Sequence, residues 1–329
     1  MKIVFYNETL ICGGIEKCLE LLSKELAPHY EIEIVYIDDT FLDKNIVKLL
    51  SQNAYVHKLQ DTEIINADIC IWCRIYFDYK KLTKQIVAKK NFLWVHSEPR
   101  YFKNCILDNS QFMNTVEKII CVSEEVRTKV GFPDKSVVIH NFVNNNIHEL
   151  ASKIENPLSD VSDNCLKLLI VSRISSDKGF DRVEQFIKDL KKINCNFILK
   201  IIGTGRNLEP IMRTKLGKYK QVEFLGYKDN PYTYMKNSDC LLVLSDYETW
   251  GNVITESKTL GTPCIVTNFP SAKEQIEDGK NGIIIPLKCD DYSPYIKSFL
   301  SKKNDLKQSL NSFTYINETD KWYDILNLI

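Results

Sequence analysis

Apolar residues along this chain fall in short continuous runs, and between those runs they recur at helical spacing. The runs Lys2–Asn7, Glu33–Ile37, Ala67–Arg74, Phe92–His96, Lys118–Ser123 and Val137–Asn141 predict buried strands. Ile15–Ala27, Tyr79–Lys89 and Glu124–Val130 carry the one-sided stripe of intervening helices. Such alternation predicts a mostly parallel sheet covered on both faces. A polar stretch from Asn144 to Asn164, with Asn156-Pro157 and several Ser and Asp, then reads as a linker.

The alternation restarts with strands predicted at Leu166–Ser172, Phe197–Gly203, Val222–Gly226, Cys240–Leu244, Cys264–Thr267 and Gly282–Pro286. Trp322, Tyr323, Ile325 and Leu326 lie at helical spacing within Phe313 to Ile329, which predicts a terminal helix. The fold class expected is α/β, with two doubly wound Rossmann-like domains in tandem. Residues 1–155 form the first and 156–312 the second, with a helix over 313–329.

Composition narrows the classes. Hydrophobic content is 44% and charged content 26%, as in a globular chain. A formal net charge of zero provides no global field to draw nucleic acid, so none is expected as a partner. No apolar run approaches the roughly 20 residues that span a bilayer. The opening MKIVFYNETL is interrupted by Asn7 and Glu8 and lacks the longer apolar region of a secretory signal, which predicts a cytoplasmic protein. The eleven cysteines are scattered through apolar strings. Cys70 and Cys73 form a C-x-x-C inside a strand-like run, with no second pair to complete a zinc site, so core packing is expected and no metal.

The chemistry concentrates between Ser245 and Pro263, in SDYETWGNVITESKTLGTP. Glu248 falls on the loop after a predicted strand, and Glu256 lies in the helix predicted over Val253–Leu260. In an open α/β sheet, ligands bind at that edge. Backbone N–H groups of Trp250, Gly251 and Asn252 open the helix and can face an anion, so a phosphate fits between carboxylates that grip hydroxyls. Four more features end predicted strands. Gly13 and Gly14 in ICGGIEK precede the first helix, where backbone can approach a ligand. Arg173 and Lys178 in VSRISSDKGFDR can neutralise a diphosphate. Gly203 in IIGTGRN belongs to half a Rossmann loop, with Leu208 where a third glycine would stand, so a nicotinamide reading is weak. Gly226 and Tyr227 in VEFLGYKDN suit a nucleobase slot.

In this order and spacing, these residues resemble the retaining family 4 glycosyltransferases of the GT-B architecture. The resemblance covers most of the chain and is tightest over Val171 to Pro286. It implies two domains facing across a cleft, a terminal helix crossing back to the first domain, and a nucleotide-diphosphate-sugar donor, with no separate cofactor. By resemblance, Arg173 and Lys178 bind the diphosphate, Glu256 takes the ribose hydroxyls and Glu248 contacts the sugar. The amides of Gly251 and Asn252 lie near the phosphate, with Trp250 and Val253 flanking them. Gly14 approaches the donor from the first domain, beside Gly13, and His96, at the strand end in FLWVHSEP, stands close to the transferred sugar. Thr249 departs from the glycine usual after the first glutamate, which puts the identity of the sugar in doubt.

The resemblance implies transfer with retention through an oxocarbenium-like state, onto a glycan or lipid-linked glycan. No Asp-x-Asp pair occurs, so a bridging Mg²⁺ is not implied. In DYKKLTKQIVAKK, Lys80, Lys81, Lys84, Lys89 and Lys90 surround Leu82, Ile86 and Val87. A basic amphipathic helix over Tyr79–Lys90 would bring the protein to the inner face of a membrane. Two other readings share the architecture: a sugar-nucleotide epimerase, and a nucleotide-sugar-binding subunit that supports another transferase.

Overall fold

The computed structural model describes residues 1–74, 79–98 and 109–327, excluding the side chains of Tyr79 and Lys80. The chain divides into two compact units, Met1–Phe142 with Asn317–Ile329, and Val143–Ile316.

The first unit is a seven-stranded sheet built from β1 (Lys2–Asn7), β2 (Glu31–Tyr36), β3 (Tyr55–Lys58), β4 (Ile65–Arg74), β5 (Ile86–Val95), β6 (Val116–Cys121) and β7 (Ser136–Val138). The order is β3-β2-β1-β4-β5-β6-β7, and every pairing is parallel. Parallel strands need helical crossovers, which bury both faces of the sheet. Ile3 to Tyr6 and Ile69 to Cys73 are accordingly wholly buried, side chains of both parities alike. Strand order reverses between β1 and β4, the place where such sheets leave a crevice at their carboxyl edge.

The helix Thr319–Leu326 belongs to this unit. Its Trp322, 1% exposed, meets Trp94 of β5 edge-on at 4.9 Å between ring centres. Just before it, Glu318 accepts the His140 backbone N–H at 2.8 Å and pairs with Lys321. The terminal helix predicted over 313–329 is thus shorter. It starts at Thr319, and positions 328 and 329 lie outside the described residues.

A further expectation for this half needs correction. The helix predicted over Tyr79–Lys89 stops at Gln85, and β5 begins at Ile86. The register explains it, because Ile86 pairs with Ile65 and Ala88 with Ala67 along β4. Ile86 is buried whereas Val87 is 48% exposed, so the two sit on opposite faces rather than on one apolar stripe. Three of the five lysines form ion pairs within the unit: Lys81 with Asp61, Lys89 with Asp68 and Lys90 with Glu117. The single helix expected over Tyr79–Lys90 is therefore replaced by a short helix followed by a strand. Strand β3 and the helices Lys44–Leu50 and Ser110–Thr115 were not expected from the hydropathy pattern.

The second unit carries β8 (Leu166–Val171), β9 (Phe197–Ile202), β10 (Val222–Gly226), β11 (Cys240–Val243), β12 (Cys264–Thr267) and β13 (Gly282–Ile285). They form one parallel sheet ordered β10-β9-β8-β11-β12-β13, a Rossmann order with its reversal between β8 and β11. One face packs on Phe180, Phe186, Leu190 and Phe299, the other on Val143, Met235, Ile254 and Phe269. The boundary expected at 155/156 falls instead after Phe142. The polar stretch is not a free linker, because Val143, Ile147 and Ala151 are buried with Tyr232 and Met235. Asn230 also donates to the Leu150 carbonyl at 2.7 Å.

Among the described residues, no helix is long and apolar enough to cross a membrane. The cysteines described are free thiols, with Cys70 and Cys73 wholly buried. Burial pushes both thiols up, as expected of packing rather than reactivity.

Candidate active site

The strand-order reversal of the second unit sets two loops side by side. After β8 come Arg173 and a 3-10 turn, Ser176–Lys178, that leads into the helix Phe180–Lys192. After β11 come Ser245 to Gly251 and the helix Asn252–Thr259. A backbone bond from Asp246 N–H to the Asp177 carbonyl, 2.9 Å, ties them together. Gly179 makes the approach feasible: its φ is +68°, and a Cβ there would stand 1.7 Å from the Leu244 carbonyl oxygen. Arg182, one helical turn on, donates to the Leu287 and Leu244 carbonyls at 2.8 and 3.1 Å and pairs with Asp246.

On this frame Lys178 Nζ meets Glu248 Oε1 at 2.7 Å, with both side chains about 15% exposed (16% and 15%). Ser245 Oγ donates to the same carboxylate oxygen at 2.7 Å. The expected phosphate lysine and the expected sugar glutamate are therefore partners. Arg173 is different. Its side chain is 58% exposed and extends along the turn to Asp177, 4.0 Å away. Burial would raise the Asp177 carboxyl, but the Ser175 hydroxyl and the Lys178 and Arg173 charges hold it below its usual range.

Glu256 is buried in the helix after the loop and accepts from the Tyr232 hydroxyl at 3.1 Å. Gly251 caps this helix at φ +83°, a left-handed turn that brings the chain from loop to helix. Thr249, Asn252 and Val253 are partly accessible, whereas Trp250 is 5% exposed and faces inward, which leaves only its backbone for a ligand. At the neighbouring strand ends, Gly203 N–H donates to the Gly226 carbonyl at 2.8 Å, and Tyr227 is 54% exposed beside them.

In the first unit, Gly13 caps the helix Gly14–Leu26 in extended geometry. Two residues into that helix, Glu16 is fully buried; it accepts from Asn7 at 3.2 Å and faces Arg74 at 3.4 Å. Its carboxyl is raised by burial, against the pull of Arg74. His96, just past β5, packs on Trp94 with ring centres 4.1 Å apart. Burial, then the nearby Arg74 charge, pushes its imidazole down to about 3, so the ring is neutral at ordinary pH. Such a ring offers one hydrogen-bond donor and one acceptor, and no charge.

Sequence reading missed Ser245, Tyr232, Arg182, Glu16 and Arg74. Ser245 alone carried a signal, being one helical turn's distance from Glu248 on the same loop. The others act through partners remote in sequence.

Residues 159–315 match the family described as "Glycosyl transferases group 1". The lipopolysaccharide core biosynthesis glycosyltransferase LpsE of Rhizobium meliloti is 25% identical over 183 residues, 54% of this chain and 52% of that protein. The N-acetyl-alpha-D-glucosaminyl L-malate synthase of Bacillus anthracis is 27% identical over 176 residues, 52% and 43% of the two chains. The chain thus spans about half the length of these relatives. Among solved structures, Anabaena Alr3699/HepE, crystallised with UDP and glucose, superposes with a TM-score of 0.79 at 19% identity, covering 100% of both chains. The lipopolysaccharide outer core galactosyltransferase WaaB in its apo form gives 0.66 at 18%, also over 100% of both. Those likenesses show a common fold of two parallel-sheet Rossmann-like domains. Over residues 159–315 this chain is thus similar to the group 1 glycosyltransferases, and as a whole it has the two-domain fold of these solved structures.

Proposed function

We propose that this protein is a retaining glycosyltransferase of family 4 type, with Glu248 and Glu256 as its spaced glutamate pair. It would take a sugar from a nucleoside-diphosphate donor, UDP- or GDP-linked, and place it on a glycan or lipid-linked glycan in polysaccharide or glycoconjugate synthesis. The observation that carries this reading is the Lys178–Glu248 pair at the point where strand order reverses, inside the group 1 domain. A cation for phosphate and an acceptor for sugar hydroxyls are held at one place by a rigid frame.

In this reading Lys178 and Arg173 stabilise the charge that grows on the departing diphosphate. The exposed reach of Arg173 leaves its guanidinium available to a phosphate. Lys178 has three N–H donors, so it can serve both Glu248 and a phosphate oxygen. The amides of Gly251 and Asn252 add donors at the start of the following helix. Glu256, oriented by Tyr232, takes the ribose, and Gly203, Gly226 and Tyr227 border the base. From the first unit the reading assigns Gly13, Gly14 and His96. Donor chemistry would proceed without a bridging metal, which activity in excess chelator tests.

A lipopolysaccharide core biosynthesis glycosyltransferase among the relatives supports a glycan acceptor, and HepE, crystallised with UDP and glucose, supports a nucleotide-sugar donor. The deciding experiment is a thermal-shift panel of UDP-, GDP-, ADP- and dTDP-sugars on wild type and Glu256→Ala. A donor at about a hundred times its dissociation constant should add about 2.7 kcal/mol. One donor that stabilises wild type and much less the variant supports the reading and names the base. Equal response in both, or none in either, overturns the ribose assignment. NMR of the first product anomer then tests retention.

A further inference from the structure

We infer that Gln275 is a positioning residue for the backbone amides that receive the donor's diphosphate, an inference that rests on the donor reading above. Gln275 ends the short helix Ala272–Gln275 and is 5% exposed. Its Nε2 donates to the Trp250 carbonyl and reaches the Gly251 carbonyl at 3.4 Å. Its Oε1 accepts from Thr255 Oγ1 at 2.6 Å. The two carbonyls settle the orientation of the amide, because only its nitrogen can donate to them, which leaves the oxygen to accept from the threonine hydroxyl.

The consequence follows from peptide geometry. Each trans peptide is planar, with its N–H pointing opposite to its C=O. The Trp250 carbonyl shares a plane with the Gly251 N–H, and the Gly251 carbonyl shares one with the Asn252 N–H. Holding both oxygens from behind therefore aims both N–H groups forward, at the place assigned to the diphosphate. The Gly251 carbonyl is also held by the Ile254 N–H at 2.9 Å, so the peptide between Trp250 and Gly251, at a residue with a wide choice of backbone angles, is the one that depends most on Gln275. A bond to the carbonyl also polarises the amide and strengthens its N–H as a donor.

The brace extends beyond one side chain. Ser271 Oγ, four residues earlier, donates to the Glu248 carbonyl at 2.7 Å. Lys258 Nζ in turn donates to the Gln275 carbonyl. The segment Ser271–Gln275 thus grips three carbonyls of the loop, those of Glu248, Trp250 and Gly251.

Binding measured by calorimetry tests the role, with two probes: the nucleoside diphosphate that the donor panel selects, and its parent nucleoside. Gln275→Met keeps the volume and removes the donor; Thr255→Val keeps Gln275 and removes the hydroxyl that orients it. Gln275→Met should bind the diphosphate roughly ten- to a hundredfold more weakly, as befits misaligned hydrogen bonds to a charged group, and the nucleoside nearly unchanged. Thr255→Val should shift the same ratio in the same direction, by less. Equal weakening of both probes, or none, in a folded variant overturns the positioning role alone. If wild type binds no nucleoside diphosphate, the donor reading falls, and this inference falls with it.

Discussion

Lys178 and Glu248, 70 positions apart in sequence, share an ion pair 2.7 Å long. The pair is mostly shielded from solvent, so removing one partner leaves the other charge poorly compensated. Lys178→Met should lower turnover at saturating donor by about a hundred- to a thousandfold, the range seen when one charge-stabilising donor is lost. Glu248→Gln should also lose activity. The double variant should lose much less than the product of the two, since the residues act through each other. Multiplicative losses would show that the pair is incidental.

Gly179 permits the turn that presents Lys178. Gly179→Ala combines a positive φ with a Cβ 1.7 Å from the Leu244 oxygen, so backbone must shift. A loss of at least about 2 kcal/mol is expected by urea unfolding with an unchanged m value. Donor binding should weaken as well, because the β8 and β11 loops would part. A variant as stable and as active as wild type would contradict the frame described above.

His96 sets a pH dependence. The unfolded chain takes up this proton near the ordinary histidine value of about 6.5, the folded one only at about 3. Between these values the unfolded state binds more protons, so stability rises with pH through the window and is level for this group above it. Replacing His96 by Gln should flatten that rise by up to about 1.4 kcal/mol per pH unit. Unfolding midpoints measured between about pH 4.5 and 7 would show it. Parallel profiles for the two proteins would mean that His96 is solvated.

Glu318 works in the opposite sense. Burial would raise its carboxyl, but hydrogen bonds from His140 and Lys321 prevail and hold it at about 2. A depressed carboxylate stabilises the fold above its unfolded value and loses that effect as pH falls from about 4.5 toward 2. Glu318→Gln should cost about 1 kcal/mol at neutral pH, allowing for the partial exposure of the pair. The variant and wild type should converge in acid, by thermal melts across that range. A constant difference would point to lost packing rather than charge.

Strands β11, β12 and β13 were legible because burial on both faces turns each into a short apolar run, and β8 and β9 because a single lysine interrupts theirs. The placement of Glu248 on a loop and of Glu256 in the helix that follows was legible for a local reason, since both positions lie within one short stretch of chain. Edge strand β3 was not, because Tyr55 to Lys58 are only partly buried and show no run. Lys89 and Lys90 misled, because a strand and a helix tolerate surface lysines equally, and only the fold brings Asp68 and Glu117 to them. The brace from Gln275 was invisible for the same kind of reason. A buried glutamine beside two carbonyls has no signature in one dimension.

Trp322 and Trp94 raise a matter of timing. The socket formed by β5 is made early in synthesis, whereas the indole that fills it leaves the ribosome only after the entire second unit. During translation the first unit must wait with an aromatic surface open to water, and the second can complete its own core meanwhile. Final closure of the first unit is thus a checkpoint on synthesis: a nascent chain interrupted before Trp322 exposes the hydrophobic surface that chaperones and proteases recognise.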